Sequence, residues 1–162
     1  MAEIEERVDR DEAGRVTRRY HVAGERLEGE CLVYTAEGWV AQRSNFAGGL
    51  LDGELTHYDA DGEIAAAMHY RAGKLEGPSQ FFDRGRLQLS ANYKDGLADG
   101  ETVVLGGNGK PSAKAEYRAG KLHGQSSWFR PDGTLLRTAQ FEDGNPAGEP
   151  VDYDERGRPK RK

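Results

Sequence analysis

Apolar and polar residues alternate with a period of two through most of this chain. Ile64, Ala66, Met68 and Tyr70 interleave with Glu63, Ala65, Ala67 and His69. Leu135, Ala139 and Phe141 interleave with Thr134 and Gln140. Period two is the pattern of a half-buried antiparallel strand. No window of 11 residues keeps a helical apolar stripe, because a glycine interrupts it first.

The interruptions are themselves periodic. One glycine series falls at Gly14, Gly38, Gly62, Gly85, Gly109, Gly133 and Gly157, in steps of 24, 24, 23, 24, 24 and 24 residues. A second falls at Gly29, Gly53, Gly77, Gly100, Gly124 and Gly148, and carries the same one-residue deletion between 77 and 85. Eight residues after each first-series glycine stands Val22, Phe46, Tyr70, Tyr93, Tyr117 or Phe141. Asp59-Ala60-Asp61-Gly62 and Arg130-Pro131-Asp132-Gly133 are turn sequences, in which glycine supplies φ > 0 and Asp bonds its own backbone. The second turn reads Arg71-Ala72-Gly73-Lys74-Leu75-Glu76-Gly77 and recurs as Arg118-Ala119-Gly120-Lys121-Leu122-His123-Gly124.

Each unit therefore predicts one β-hairpin. A lone hairpin is marginal in water, and stacked hairpins bury one another's aromatics. The expectation is an all-β fold: tandem β-hairpin repeats of about 24 residues and about twelve strands, forming an elongated, twisted open antiparallel sheet or half-pipe. Residues 1–13 form a charged N-terminal segment placed to cap the first edge or to fray. Residues 14–157 are the array, and residues 158–162 a basic tail.

Tyr70-Arg71-Ala72-Gly73-Lys74-Leu75-Glu76-Gly77, with its copies at 93–100, 117–124 and 141–148, resembles MORN repeats. It is similar to the bacterial MORN variant of the YwqK-family antitoxins. The resemblance covers residues 14–157. It implies a rigid, non-catalytic protein-binding scaffold, in bacteria one that neutralises a cognate toxin or confers immunity to a secreted effector. Eukaryotic MORN arrays are linked to membrane phospholipids and scaffolding. The lipid link transfers poorly to an acidic array, since membrane surfaces attract basic segments.

Composition narrows the classes further. The net charge is −5, which argues against general nucleic-acid binding and suits a basic protein partner. Cys31 is the only cysteine, so no intramolecular disulfide is available. The N-terminus has no apolar signal region and no apolar run approaches a membrane span, so the expected location is cytoplasmic.

Nothing in the chain reads as a catalytic, cofactor or metal site. His21, His57, His69 and His123 lack metal-ligand spacing. Cys31 sits in a strand with no adjacent Lys or His and reads as a small packed hydrophobe. Gly106-Gly107-Asn108-Gly109 is not followed by Gly-Lys-Ser/Thr or by a helix, so it is a turn rather than a phosphate loop.

The informative residues are those that break the repeat. Trp39 is the one apolar residue in a column of Arg15, Glu63, Arg86, Lys110, Thr134 and Arg158. One position before the strand aromatics stand Val33, His57, Phe81, Val104 and Trp128, which strict alternation sends to the face opposite Tyr34, Tyr58, Phe82 and Phe129. Val33, Trp39, Phe81, Val104 and Trp128 are thus the candidate partner-binding residues. The occupant expected there is a protein, a toxin or effector, with no nucleic acid and no membrane insertion. Open edge strands also permit a homodimer by edge pairing. The alternative reading is a structural scaffold or envelope-associated adaptor.

Overall fold

The computed structural model describes residues 3–160. They contain sixteen strands and no helix, and the chain divides into two compact units, Met1–Gly77 and Pro78–Lys162. Met1, Ala2, Arg161 and Lys162, at the ends of the expected cap and tail, lie outside the described residues.

The first unit holds β1 (Ile4–Arg10), β2 (Val16–Ala23), β3 (Arg26–Tyr34), β4 (Val40–Ala47), β5 (Leu50–Tyr58) and β6 (Ile64–Arg71), each paired antiparallel with the next. Strand β7 (Lys74–Asp83) contains the boundary. The second unit holds β8 (Arg86–Lys94), β9 (Leu97–Ala98), β10 (Gly100–Leu105), β11 (Pro111–Arg118), β12 (Lys121–Leu122), β13 (Gly124–Phe129), β14 (Leu135–Glu142), β15 (Asn145–Pro146) and β16 (Val151–Asp152). Its main path is β8-β10-β11-β13-β14, again antiparallel and open. The strand number exceeds about twelve because an irregular stretch after the second turn splits β9 from β10, β12 from β13 and β15 from β16.

The two turns differ in construction. In the first, Asp59 N donates to Glu63 O (2.8 Å), Gly62 N donates to Asp59 O (3.1 Å), and Gly62 sits at φ 79°. The side chain that organises it is Asp59, whose Oδ1 accepts from the N–H groups of Asp61 and Glu63 at 2.9 Å. Asp11 and Asp154 repeat the arrangement. The acceptor is thus three residues before the glycine, whereas the Asp-Gly motif alone points to the residue just before it. Asp132 does follow the simpler expectation, accepting from Thr134 N at 2.8 Å. This three-residue loop with a left-handed glycine inserts a bulge, and the register shifts at Asp9/Arg10, Val33/Tyr34, His57/Tyr58, Val104/Leu105 and Trp128/Phe129.

The exception explains the deletion seen in both glycine series. Between β7 and β8 the loop is only Arg84 and Gly85, at φ 48° and 69°. Two successive left-handed residues define the tighter hairpin turn whose twist matches the strands. The missing residue is therefore a change of turn type.

Second turns use that same tight geometry, with Ala72 and Gly73 at φ 48° and 81° and Ala119 and Gly120 at 48° and 80°. They are tied from one repeat to the next. Glu28 Oε2 accepts from Gly48 N (2.8 Å), Asp52 Oδ2 from Ala72 N (3.0 Å) and Asp99 Oδ2 from Ala119 N (3.0 Å). In the next rung His123 takes the place of the carboxylate, with Asp143 N donating to its Nδ1 at 3.5 Å.

The core is thin. Val22, Cys31, Leu55, Ala66 and Ala91 are its buried apolar members, joined by Ser44 and Ser79. With so little apolar burial, order depends on turns and ladder bonds, so turn changes carry a direct cost. Gly62→Ala forces a Cβ into the left-handed region and should destabilise the chain by about 1–2 kcal/mol, read as a lower urea midpoint. An unchanged midpoint would contradict the assigned geometry.

The same turns set a pH dependence. The Asp11 and Asp154 carboxyls are held below their ordinary value by the N–H groups of Arg15 and Arg158, helped by the same residues' guanidinium groups. A depressed folded pKa means that the stabilisation is present above the unfolded value and is lost as pH falls through the folded one. Carboxyl NMR should show Asp154 titrating at lower pH in the native chain than in urea. Coincident titrations would contradict the turn geometry.

Candidate functional site

Cross-strand pairing places a continuous row on the second unit: Leu89 opposite Val104, Val104 opposite Ala113, Ala113 opposite Trp128, Trp128 opposite Arg137, and Arg137 opposite Asp152. Directly opposed residues project to the same face of an antiparallel sheet. Val104 and Trp128 are therefore brought together, two strands apart. Val104 is 37% exposed and Trp128 half-buried. Phe81, in the same unit, is 36% exposed.

At these bulges the extra residue lies on the facing strand. Trp128 opposes Arg137 and Phe129 opposes Leu135, so Leu136 is the inserted residue of β14. Leu136 and Arg137 both line the space beside Trp128. Tyr34 and Val33 oppose Val40 and Gln42 in the same way, with Ala41 inserted on β4.

At its far end the row enters an open cleft of about 580 Å³. Trp128, Ala139, Phe141, Pro146 and Pro150 supply apolar walls, and Arg137 and Asp152 close one side. These two form a bidentate pair, Nε–Oδ1 2.6 Å and Nη2–Oδ2 3.0 Å, which raises the Arg137 pKa. Arg130 steadies the wall from below the turn, its guanidinium donating to the carbonyls of Leu135 (2.7 Å), Tyr153 and Asp154 (3.2 Å).

In the first unit Val33 is half-buried, opposite Arg18 and Gln42. Trp39 projects from a first turn with 68% of its surface exposed, its carbonyl accepting from Thr35 N at 2.8 Å. Sequence reasoning missed Arg137, Phe141, Pro150 and Asp152 as cleft residues. Arg137 shares its column with Arg18, Gln42, Ala66, Leu89 and Ala113, so the column does not mark it, and its partner 15 residues away is visible only through the register.

Groups with chemical potential are placed quietly. Cys31 is 4% exposed, and burial pushes its thiol pKa up. Among the described residues no group of three or more His, Cys, Asp or Glu side chains is arranged to hold a metal ion. No helix of the described residues is long and apolar enough to cross a membrane.

An open antiparallel array of hairpin repeats presenting a half-apolar row defines a repeat-based binding protein. Residues 51–72, which span β5, a first turn and β6, match the family model described as a MORN repeat variant. Their columns recur along the chain, so the chain carries repeats of this MORN kind, which support a repeat-based scaffold of the protein-binding kind. No curated protein matches it.

The placement of Cys31 has a direct consequence. Iodoacetamide should modify it slowly in the native chain and rapidly in urea, followed by mass spectrometry. Equal rates would contradict its burial.

Proposed function

We propose that this chain is a non-catalytic cytoplasmic protein that binds a protein toxin or effector stoichiometrically and occludes its working surface, as an antitoxin or immunity protein does. The observation that carries the reading is the row Val104–Ala113–Trp128 running into the cleft beside Phe141, with Phe81 exposed on the same unit. Aromatic anchors set in a surface that excludes water are the usual hot spots of protein interfaces. The net charge of −5 favours a basic partner, such as a nuclease toxin, through faster encounter. Inhibition by occlusion requires affinity alone, so no residue needs a catalytic pKa. Val33 and Trp39 are proposed as contacts of the first unit in their own right.

Affinity purification of the tagged chain from its host, with mass spectrometry, tests the reading. One stoichiometric partner that is toxic when expressed alone and harmless when co-expressed is the expected result. Recovery of a diffuse set of envelope proteins would replace it with the scaffold reading. With the partner in hand, Phe81→Ala combined with Trp128→Ala should weaken binding by about tenfold or more, at least ~1.4 kcal/mol, while the folded baseline of the circular-dichroism melt is retained. Unchanged affinity would remove this face from the interface.

A further inference from the structure

The one-residue deletion leaves a gap between two first turns of the second unit. The turn at Arg84–Gly85 is a residue shorter than the others, and the turn after it begins with Gly106 and Gly107, which bring no side chains. Between these turns lies an open notch of about 520 Å³, lined in part by Arg86, Leu87, Leu105, Gly106 and Gly107. The spaces between full-length first turns are smaller, about 350 Å³ beside Glu37 and about 220 Å³ beside Lys110 and Arg130. One of equal size, beside Arg130 and Lys160, is walled by charged side chains throughout. The notch instead has Leu87 and Leu105 in its wall, and a Cβ built at Gly107 meets nothing within 4 Å.

Charge at the notch is opposite to charge at Trp39. Arg84 and Arg86 are both exposed, and among the described residues neither has an ion-pair partner. With Asp83 counted, this turn remains net positive. In the first unit Glu37 stands two residues before Trp39, and Asp61 and Glu63 occupy the corresponding positions of the next first turn. All three carboxylates are exposed, and among the described residues they too lack an ion-pair partner. Trp39 is the most exposed large apolar side chain of the described residues.

We propose that Trp39 of one copy of this chain enters the notch of a second copy, its indole against Leu87 and Leu105 and under the Arg86 guanidinium. The carboxylates of Glu37, Asp61 and Glu63 then face Arg84 and Arg86. A second copy is selected as occupant because the chain itself carries both complementary halves, each with its charges unpaired. Indole is the ring that a guanidinium prefers, and complementary charge around it fixes which surfaces meet. The contact goes beyond the toxin- or effector-binding reading, since it assigns Trp39 to self-association and makes no use of Trp128.

Sedimentation equilibrium of the purified 162-residue chain over a range of concentrations tests the contact. The mean mass should rise with concentration. Trp39→Ala should raise the dissociation constant about tenfold or more while the circular-dichroism spectrum stays native. Gly107→Leu, at a glycine that is not left-handed, adds bulk in the notch without backbone strain and should have the same effect. Glu63→Arg and Arg86→Glu should each weaken association, and the two together in one chain should restore it. A mass that stays at one chain throughout would overturn the contact. So would self-association that survives Trp39→Ala and Gly107→Leu, as edge pairing would, or a charge swap that restores nothing. A chain that stays single yet still captures its toxin or effector sinks self-association and leaves the protein-binding reading standing.

Discussion

Left-handed backbone at the turns is the constraint on which the rest of this protein depends. Few apolar side chains are buried, so the strands are aligned by where each hairpin reverses. The three-residue loop with its αL glycine imposes a bulge, and the bulge decides which residues share a face. Trp128 joins Arg137, and through it the cleft, because the turn at Arg130–Thr134 shifts the register by one. The row of candidate contacts is therefore a consequence of turn chemistry.

The second constraint is the chain of hydrogen bonds between successive second turns. Glu28, Asp52 and Asp99 each accept from a left-handed residue 20 positions on. These bonds satisfy turn N–H groups that have no ladder partner, and they fix one hairpin against the next without apolar surface. Such a scaffold leaves its apolar residues available for a face, which is how a chain with 36% apolar residues can still present Val104, Trp128 and Phe141 together.

Much of this was legible in the sequence. Period two, the paired glycine series and the recurring aromatics lead to stacked hairpins, and the structure has them. Trp39 was legible as exposed because it departs from its own column, and Phe81 and Val104 because alternation sets them apart from Phe82 and Leu105. Less visible were features that depend on register. Leu136 joins Arg137 beside Trp128 because a bulge on β14 adds a residue without changing composition. The deletion at the fourth repeat was visible, while its meaning, a two-residue turn at Arg84–Gly85, needed the backbone angles. The Arg137–Asp152 pair depends on two strands meeting at one position, which spacing along the chain does not encode.

The central claim is that a partner protein covers the face carrying Val104, Trp128 and Phe141. Hydrogen exchange of the chain, alone and in complex with the partner it purifies with, tests it most directly. The account predicts added protection along β10, β13, β14 and the Gly148–Asp152 segment. Protection confined to other strands, with this face exchanging as in the free chain, would contradict it.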